Sequence, residues 1–297
     1  MMITVDPSQL EQPKLHQYLL GSIGPRPIAF VSTIDELGND NLAPYSFFNV
    51  FSSNPPVLIV SPARRGRDKT TKHTLENARV NKQCVVNIVD FAMVEQMSLA
   101  STEYPAGVSE FVKAGLTAIS SEVVLPKRVQ EAPVQMECEV FEIMPLGDGG
   151  GAGNLMLCKV VRIHLQEHIF DADGRIDPER IDQVARMGGH WYTRAKAGLF
   201  QLPQPMTTIG VGFDSIPMDI RNSSVLTGSD LAKLAGVESI PDETSVNEYK
   251  LLELADLFCT HEDNATALEI ALHELAHDLL SKNDVNSAWK ALLSFNN

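Results

Sequence analysis

Two twelve-residue stretches, VQMECEVFEIMP at 134–145 and NLMLCKVVRIHL at 154–165, alternate apolar and polar residues with period two. Only an extended strand with one face turned inward gives that pattern. The connection GDGGGAGN at 147–154 is glycine-rich and long enough for a mobile hairpin loop. The two stretches therefore read as paired antiparallel strands, and the rest of the fold has to be built around them. Other strand-length runs precede them. PIAFVST at 27–33 is followed by the turn-rich DELGND and then LAPYSFFNVF, which reads as a hairpin. VLIVSP at 57–62 and CVVNIV at 84–89 are continuous apolar runs. Between them TLENARVN at 74–81 has helical spacing, with Thr74 as its N-cap, and FAMVEQMSL at 91–99 fits another amphipathic helix. Many short strands with few helices point to a mainly β fold with helices, α+β in class, closed as a barrel.

After Arg194 the texture changes. Prolines gather at Pro203, Pro205, Pro217 and Pro241, and helical spacing takes over at 247–258 and 265–282. A boundary near residue 196 divides the chain into a barrel domain, 1–195, and a mainly helical C-terminal extension, 196–297.

Charge limits the partners. With 24 Lys+Arg against 38 Asp+Glu the formal charge is −14, which disfavours a general nucleic-acid binder because phosphate contacts need a basic surface. The start MMITVDPSQLEQ lacks the basic and apolar regions of an export signal, and no apolar window is long enough to span a bilayer, so neither membrane nor export is expected and the location expected is cytoplasmic. Cys84, Cys138, Cys158 and Cys259 form no CxxC pair, and three sit in strand-like runs as buried thiols would.

Three motifs carry less than their letters suggest. His273, Glu274 and His277 spell HExxH, the pattern of a zinc peptidase helix. Leu268, Leu272, Leu275 and Leu279 mark the buried stripe of that helix, which leaves both histidines at its edge or on the solvent face; for a third ligand only Asp278 and Asp284 follow, and His261 upstream would need the chain to fold back, so no metal site is assigned. Gly147 to Ala152 matches G-x-G-x-x-A, but a strand follows where a dinucleotide fold needs a helix. DADGRID at 171–177 lacks the closing glutamate of a calcium loop and reads as a turn.

Two further segments carry more chemistry. In Ala43–Pro56, APYSFFNVFSSNPP, the polar groups of Ser46, Asn49, Ser52, Ser53 and Asn54 interleave with Tyr45, Phe47, Phe48 and Phe51. Such a strand end offers hydrogen-bond partners beside ring-sized apolar surface. One strand later, SPARRGRDKTTKHTLEN at 61–77 crowds Arg64, Arg65, Arg67, Lys69 and Lys72 into an otherwise acidic chain. Arginine forks, a lysine charge, threonine hydroxyls and the start of the following helix make a cradle for phosphate.

With GPRPIAFVST, NLAPYSFFNVFSSNPP, the RR…KHT..N segment, ECEVFEIMPLGDG, the strand 154–165 and ARMGGHWYTR in this order, the chain resembles the flavin-reductase-like FMN-binding split barrels, the flavoredoxin-like branch in particular. The resemblance covers roughly 15–195 and continues weakly around IRNSSVLTGSDLAKLA. It implies that FMN is the cofactor and that Thr33, Ser46, Phe47, Phe48, Asn49, Val50, Ser52 and Ser53 border its ring and ribityl chain. Arg64, Lys72, Thr74 and Asn77 would then lie at or near the phosphate, with Gly189 and Tyr192, beside Arg186 and Gly188, in the wall of the site. His73 stands where the family commonly has aspartate. The resemblance further implies a homodimer, NADH or NADPH as electron donor, and an acceptor that sequence does not name. Hydride exchange between nicotinamide and flavin needs no protein nucleophile, so binding residues are expected in place of a catalytic triad. Alternatives are a flavin-binding electron carrier reduced by a partner protein and, more remotely, the zinc peptidase.

Overall fold

The computed structural model describes residues 1–202 and 209–296, and it divides into two compact units, Met1–Phe200 and Gln201–Asn297. Pro203 and Pro205 lie outside the described residues. In order, the first unit contains α1 (Gln12–Ser22), β1 (Arg26–Pro27), β2 (Ala29–Ile34), β3 (Asp40–Tyr45), β4 (Phe48–Ser53), β5 (Pro56–Val60), α2 (His73–Asn81) and β6 (Gln83–Ile88). There follow α3 (Val94–Leu99), α4 (Glu110–Ala114), β7 (Ala118–Ile119), β8 (Arg128–Val129), β9 (Val134–Pro145), β10 (Asn154–Leu165), β11 (Val184–Arg186) and β12 (Tyr192–Arg194).

Seven strands pair in the order β3-β2-β6-β9-β10-β5-β4, every pair antiparallel. The two edge strands, β3 and β4, are consecutive in the chain and separated only by Ser46 and Phe47. With Cα atoms spaced ~3.8 Å, a two-residue link holds those strand ends within about 11 Å of each other. A sheet whose first and last strands are so tied has to curl round, yet β3 and β4 do not pair. The result is a barrel split along that seam. Register shifts between Leu157 and Cys158, Val160 and Arg162, and Val50 and Ser52 supply local bending.

Period-two alternation sorts side chains to the two faces of the curled sheet. Ala29, Val31, Leu58, Val60, Val86, Val140 and Met156 fill the interior, and α2 lays Leu75 and Ala78 among them. Cys84, Cys138 and Cys158 belong to this core, with the Cys84 and Cys158 sulfurs 3.8 Å apart, while Cys259 is exposed. Phe30, between Ala29 and Val31, points the other way, into a second core with Leu42, Met93, Met97 and Phe111 that binds α3 and α4 to the outside. β2 is thus buried on both faces, which is why its sequence runs apolar without alternating. The 134–145 and 154–165 strands form the hairpin β9–β10 with Leu165 opposite Val134 and Asn154 opposite Pro145.

α2 begins two residues earlier than a cap at Thr74 would have it. Lys72 occupies the N-cap and makes no side-chain cap, and Thr74 lies buried in the first turn with its hydroxyl accepting from Asn41 Nδ2 at 3.0 Å. Thr74 is therefore not the N-cap: its hydroxyl is committed to the neighbouring strand.

The second unit holds α5 (Met218–Arg221), α6 (Gly228–Ala235), α7 (Glu243–Glu253), α8 (Ala255–Thr260), α9 (Ala265–Ser281) and α10 (Val285–Leu293). Side-chain caps start four of them: Thr227 with Asp230, Asp242, Asn264 and Asp284. Trp289, fully buried, donates from its indole to the Leu234 carbonyl at 3.0 Å and packs with Leu280, Ala276 and Ile220. No described helix is long and apolar enough to cross a membrane.

Candidate active site

A groove follows the seam of the barrel along β3. Its central part lies between Asn41, Ala43 and Tyr45 of β3, the start of α2 (Lys72, His73, Thr74) and the segment from Ala100 to Tyr104. Through the shared Tyr45 and Ser101 it opens into a hollow lined by Arg26, Ile28, Ser46, Met97, Arg186 and Tyr192. One end is therefore cationic and built on a helix start, and the other is apolar and aromatic.

The cationic end is held by a single carboxylate. Glu103 accepts from Arg65 Nε at 2.9 Å, Arg67 Nη2 at 2.9 Å and Lys72 Nζ at 2.7 Å. Hydrogen bonds from Lys72 and Arg65 pull its carboxyl down to about 2. Arg65 also donates to Thr70 Oγ1 and to the Thr71 carbonyl, which fixes the loop before α2. No side chain caps α2, and the residues of its start, Lys72, His73 and Thr74, line the groove with the partial positive charge of a helix N-terminus. Glycines set the loop in place. A Cβ on Gly150 would lie 2.7 Å from the Gly66 carbonyl, and Arg64 exchanges backbone bonds with Ala152 and Gly151. The G-x-G-x-x-A stretch is thus the β9–β10 hairpin loop, small so that the basic loop can pack on it.

At the other end Arg26, 6% exposed, donates from Nη1 to the Leu20 and Ile23 carbonyls and from Nη2 to Met187 O at 2.9 Å. Arg186 stacks on the Tyr192 ring at 4.6 Å and donates to the Tyr192 hydroxyl and to Gly189 O. Gly189, at φ +59°, presents that carbonyl in the left-handed region.

Six buried side-chain polar atoms lack a hydrogen-bond partner among the described residues, and two of them belong to residues lining this groove: Arg26 Nε and the Tyr45 hydroxyl. Burial pushes the Tyr45 phenol up to about 12, so it stays protonated beside Thr74. Buried polar groups are nearly always paired, and orphans along one groove mark where a ligand supplies the partners. A phosphate suits the helix start and its cations, and a ring bearing carbonyl acceptors suits Arg26 Nε and the aromatic wall. The residues present fit FMN.

The profile of the flavin reductase like domain matches residues 21–179 of the 297. The chain belongs to the flavin reductase-like family. Among solved structures, the nitrilotriacetate monooxygenase component B of Bacillus cereus is 35% identical, superposes at a TM-score of 0.64, and is covered over 99% of its length by 68% of this chain. The 2-nitrobenzoate 2-nitroreductase NbaA of Pseudomonas fluorescens is 28% identical, with a TM-score of 0.60, and is covered completely by 71% of this chain. An uncharacterized Aquifex aeolicus protein is 37% identical over 181 residues, 61% of this chain and 90% of its own length. About a third of this flavin reductase-like chain has no counterpart in these relatives.

The groove of this family member brings together Ser46, Lys72, Thr74 and Tyr192, with Gly189 behind Arg186. Thr33 is buried beneath it, its hydroxyl accepting from Asn41 and Asn77 at 3.1 Å each, so Thr33 and Asn77 tie α2 to the β2–β3 hairpin. Arg64 points elsewhere, donating to Lys69 O at 3.0 Å, while Arg65 faces the groove. Phe48 packs against the barrel interior, and Phe47, Asn49, Val50 and Ser53 are exposed along β4, with Ser52 half-buried. Glu103 and Ser101 come to the site from a distant segment with no local motif, and Arg26 lies in GPRPIAFVST without having been singled out; the excess of cations before α2 was the only hint that a carboxylate had to meet them.

The zinc motif resolves differently. His273 is 5% exposed, not on a solvent face, because α9 is packed by two neighbouring cores and buries Leu272, His273, Ala276 and Leu280. Its Nδ1 pairs with Ser223 Oγ at 2.7 Å, and His277 Nδ1 pairs with Asp230 at 2.9 Å. The two imidazoles serve separate polar contacts, and no cluster of three or more potential ligands occurs among the described residues.

Proposed function

We propose that this FMN-dependent oxidoreductase of the flavin reductase-like family takes electrons from NADH or NADPH at the aromatic end of the groove and passes them to a separate acceptor. FMN, when bound, supplies a ring able to accept and release electrons, so the protein needs no nucleophile of its own. Lys72, Arg65, Thr74 and the first-turn amides of α2 would hold its phosphate. Arg26, Tyr45, Ser46 and Tyr192 would orient its ribityl chain and ring, and the protonated Tyr45 would donate in the middle. The observation that carries this reading is a pair of buried, unpartnered polar atoms, Arg26 Nε and the Tyr45 hydroxyl, in a groove that is cationic at one end and aromatic at the other.

The two solved relatives are named as a monooxygenase component and as a nitroreductase, so both names are those of redox proteins, with different compounds in them. A homodimer is part of the proposal. Val50 and Phe51 on the open edge β4, and Phe141 and Ile163 on the neighbouring strands β9 and β10, are 51–63% exposed in the single chain, apolar surface that a partner subunit would cover. Burying β4 there would bring Asn49, Val50, Ser52 and Ser53 to the edge of the flavin site. We also place the protein in the cytoplasm. The test is anaerobic mixing of FMN-loaded protein with NADH and with NADPH. Bleaching of the flavin colour by one donor is expected; persistence of the colour with both would leave a carrier that a partner protein reduces.

A further inference from the structure

His73 stands at a junction. It is the first residue of α2, and it lines both the central part of the groove and an open hollow between the β2–β3 turn, α2 and the segment Pro105–Val108. Its ring is half-buried and has no hydrogen-bond partner among the described residues. Nor do the backbone amides of His73 and Thr74 reach a backbone acceptor there, whereas Leu75 and Glu76 both donate to Lys72 O. An imidazole and two unpaired amides therefore belong to one turn, beside Arg65 and Lys72.

The charges around the ring are of both signs. Arg65 and Lys72, tied by Glu103, stand on the groove side with Tyr45 and Tyr104. Asp35, Asp40 and Glu76 line the hollow on the other side. Glu110 of α4, 5% exposed, completes the set. Burial pushes the Glu110 carboxyl up, against the pull of the Leu42 amide, of its own amide and of the charge on His73. The imidazole and this buried carboxylate are thus within electrostatic reach of each other. A protonated imidazole donates from both ring nitrogens, so it can serve a carboxylate and a second anion at once.

We propose that His73 is a titrating ligand of the flavin phosphate, adding a charge-assisted hydrogen bond to those of Lys72 and Arg65 as an imidazolium and losing that charge as a neutral ring, so that the grip on FMN depends on pH through this one side chain. The inference rests on the flavin-binding reading above and deepens it.

Two titrations overlap in the range that matters. An imidazole ordinarily changes charge between about pH 5 and 8, and a phosphate monoester does so near about pH 6. The readout is therefore the ratio of FMN affinities of the unmodified protein and His73→Gln at each pH, in which the titration of the phosphate cancels. By fluorescence titration this ratio is expected to be about tenfold at about pH 5.5 and less than about twofold at about pH 8, the first being the worth of one charge-assisted hydrogen bond. His73→Lys, a cation throughout this range, is expected to keep the tenfold advantage over His73→Gln at both pH values. Riboflavin, which has no phosphate, is expected to bind all three proteins alike. A ratio that is the same at both pH values overturns the role given to His73 and leaves the flavin site standing, as does a riboflavin ratio that follows the FMN profile. Failure of the unmodified protein to bind FMN at either pH overturns the flavin reading as well.

Discussion

Glu103 meets Arg65, Arg67 and Lys72 at once, and so a carboxylate stands where the proposed site needs an anion. It keeps three cations from repelling one another in the absence of ligand, and it leaves Lys72 and Arg65 ordered at the mouth of α2. Lys72→Ala or Arg65→Ala removes one charge-assisted bond to phosphate, worth about 1.5–3 kcal/mol. FMN affinity should fall by about tenfold to a hundredfold in a fluorescence titration, while riboflavin, which has no phosphate, should bind as before. The same carboxylate makes acid stability testable. Its value in the folded chain, about 2, lies below the ordinary 4.5, so the unfolded chain binds the extra proton first. The contribution is complete above about 4.5 and is lost as pH falls toward about 2. Glu103→Gln should flatten the fall of the thermal midpoint across that window; an unchanged slope would refute the role given to Glu103. Residue-scale chemistry was only half legible. The cation-rich loop announced an anion, but Thr33 and Asn77 look like ligand contacts in the string and turn out to be bonded to each other beneath the groove. Sequence order says nothing about which of Arg64 and Arg65 turns inward.

At the scale of elements, period-two alternation located β9 and β10 to the residue because each has one buried face. The same logic is silent where both faces are buried, as in β2, and there apolar content alone carries the assignment. Helix ends were harder. Thr74 looks like an N-cap by type, and only its bond to Asn41 explains why Lys72 has that position. α9 gives a further case, since a single leucine stripe predicts exposed histidines and a helix packed on two sides buries one of them. Burial holds the His273 ring below its ordinary 6.5, against the opposing pull of Glu269 and Asp219. The unfolded chain therefore takes up a proton first as pH falls, and the helical unit should be fully stable above about 6.5 and weaken below it. Urea unfolding followed by the fluorescence of buried Trp289 at about pH 7.5 and about pH 5.5 should show this loss, and His273→Gln should remove most of the difference.

For the whole molecule, one topological fact organises the rest: the first and last strands of a seven-stranded sheet are joined by two residues and left unpaired. The outer side of β3 lines the groove, and α2, packing into the barrel, brings a helix start to its middle. On the β3 side the edge is satisfied from outside, where the buried Glu110 accepts the Leu42 amide at 2.8 Å. On the β4 side it remains open, with Phe51 63% exposed. Phe51→Lys, which charges that edge without touching the barrel core, should shift the protein from dimer to monomer in sedimentation velocity; a monomer before substitution would contradict the proposed assembly. Strand order of this kind is not written in any local pattern, since the seam depends on which strands fail to pair. It became legible only through the ordered run of family segments from GPRPIAFVST to ARMGGHWYTR. The C-terminal helices announced themselves by texture, and their caps and chemistry did not. The most direct measurement of the central claim is a crystal structure of the protein with FMN bound. The account places the phosphate at the start of α2 against Lys72 and Arg65, and the ring beside Tyr192 with Arg26 Nε and the Tyr45 hydroxyl newly partnered. Flavin seated away from the β3–β4 seam, with those two atoms still unpaired, would contradict it.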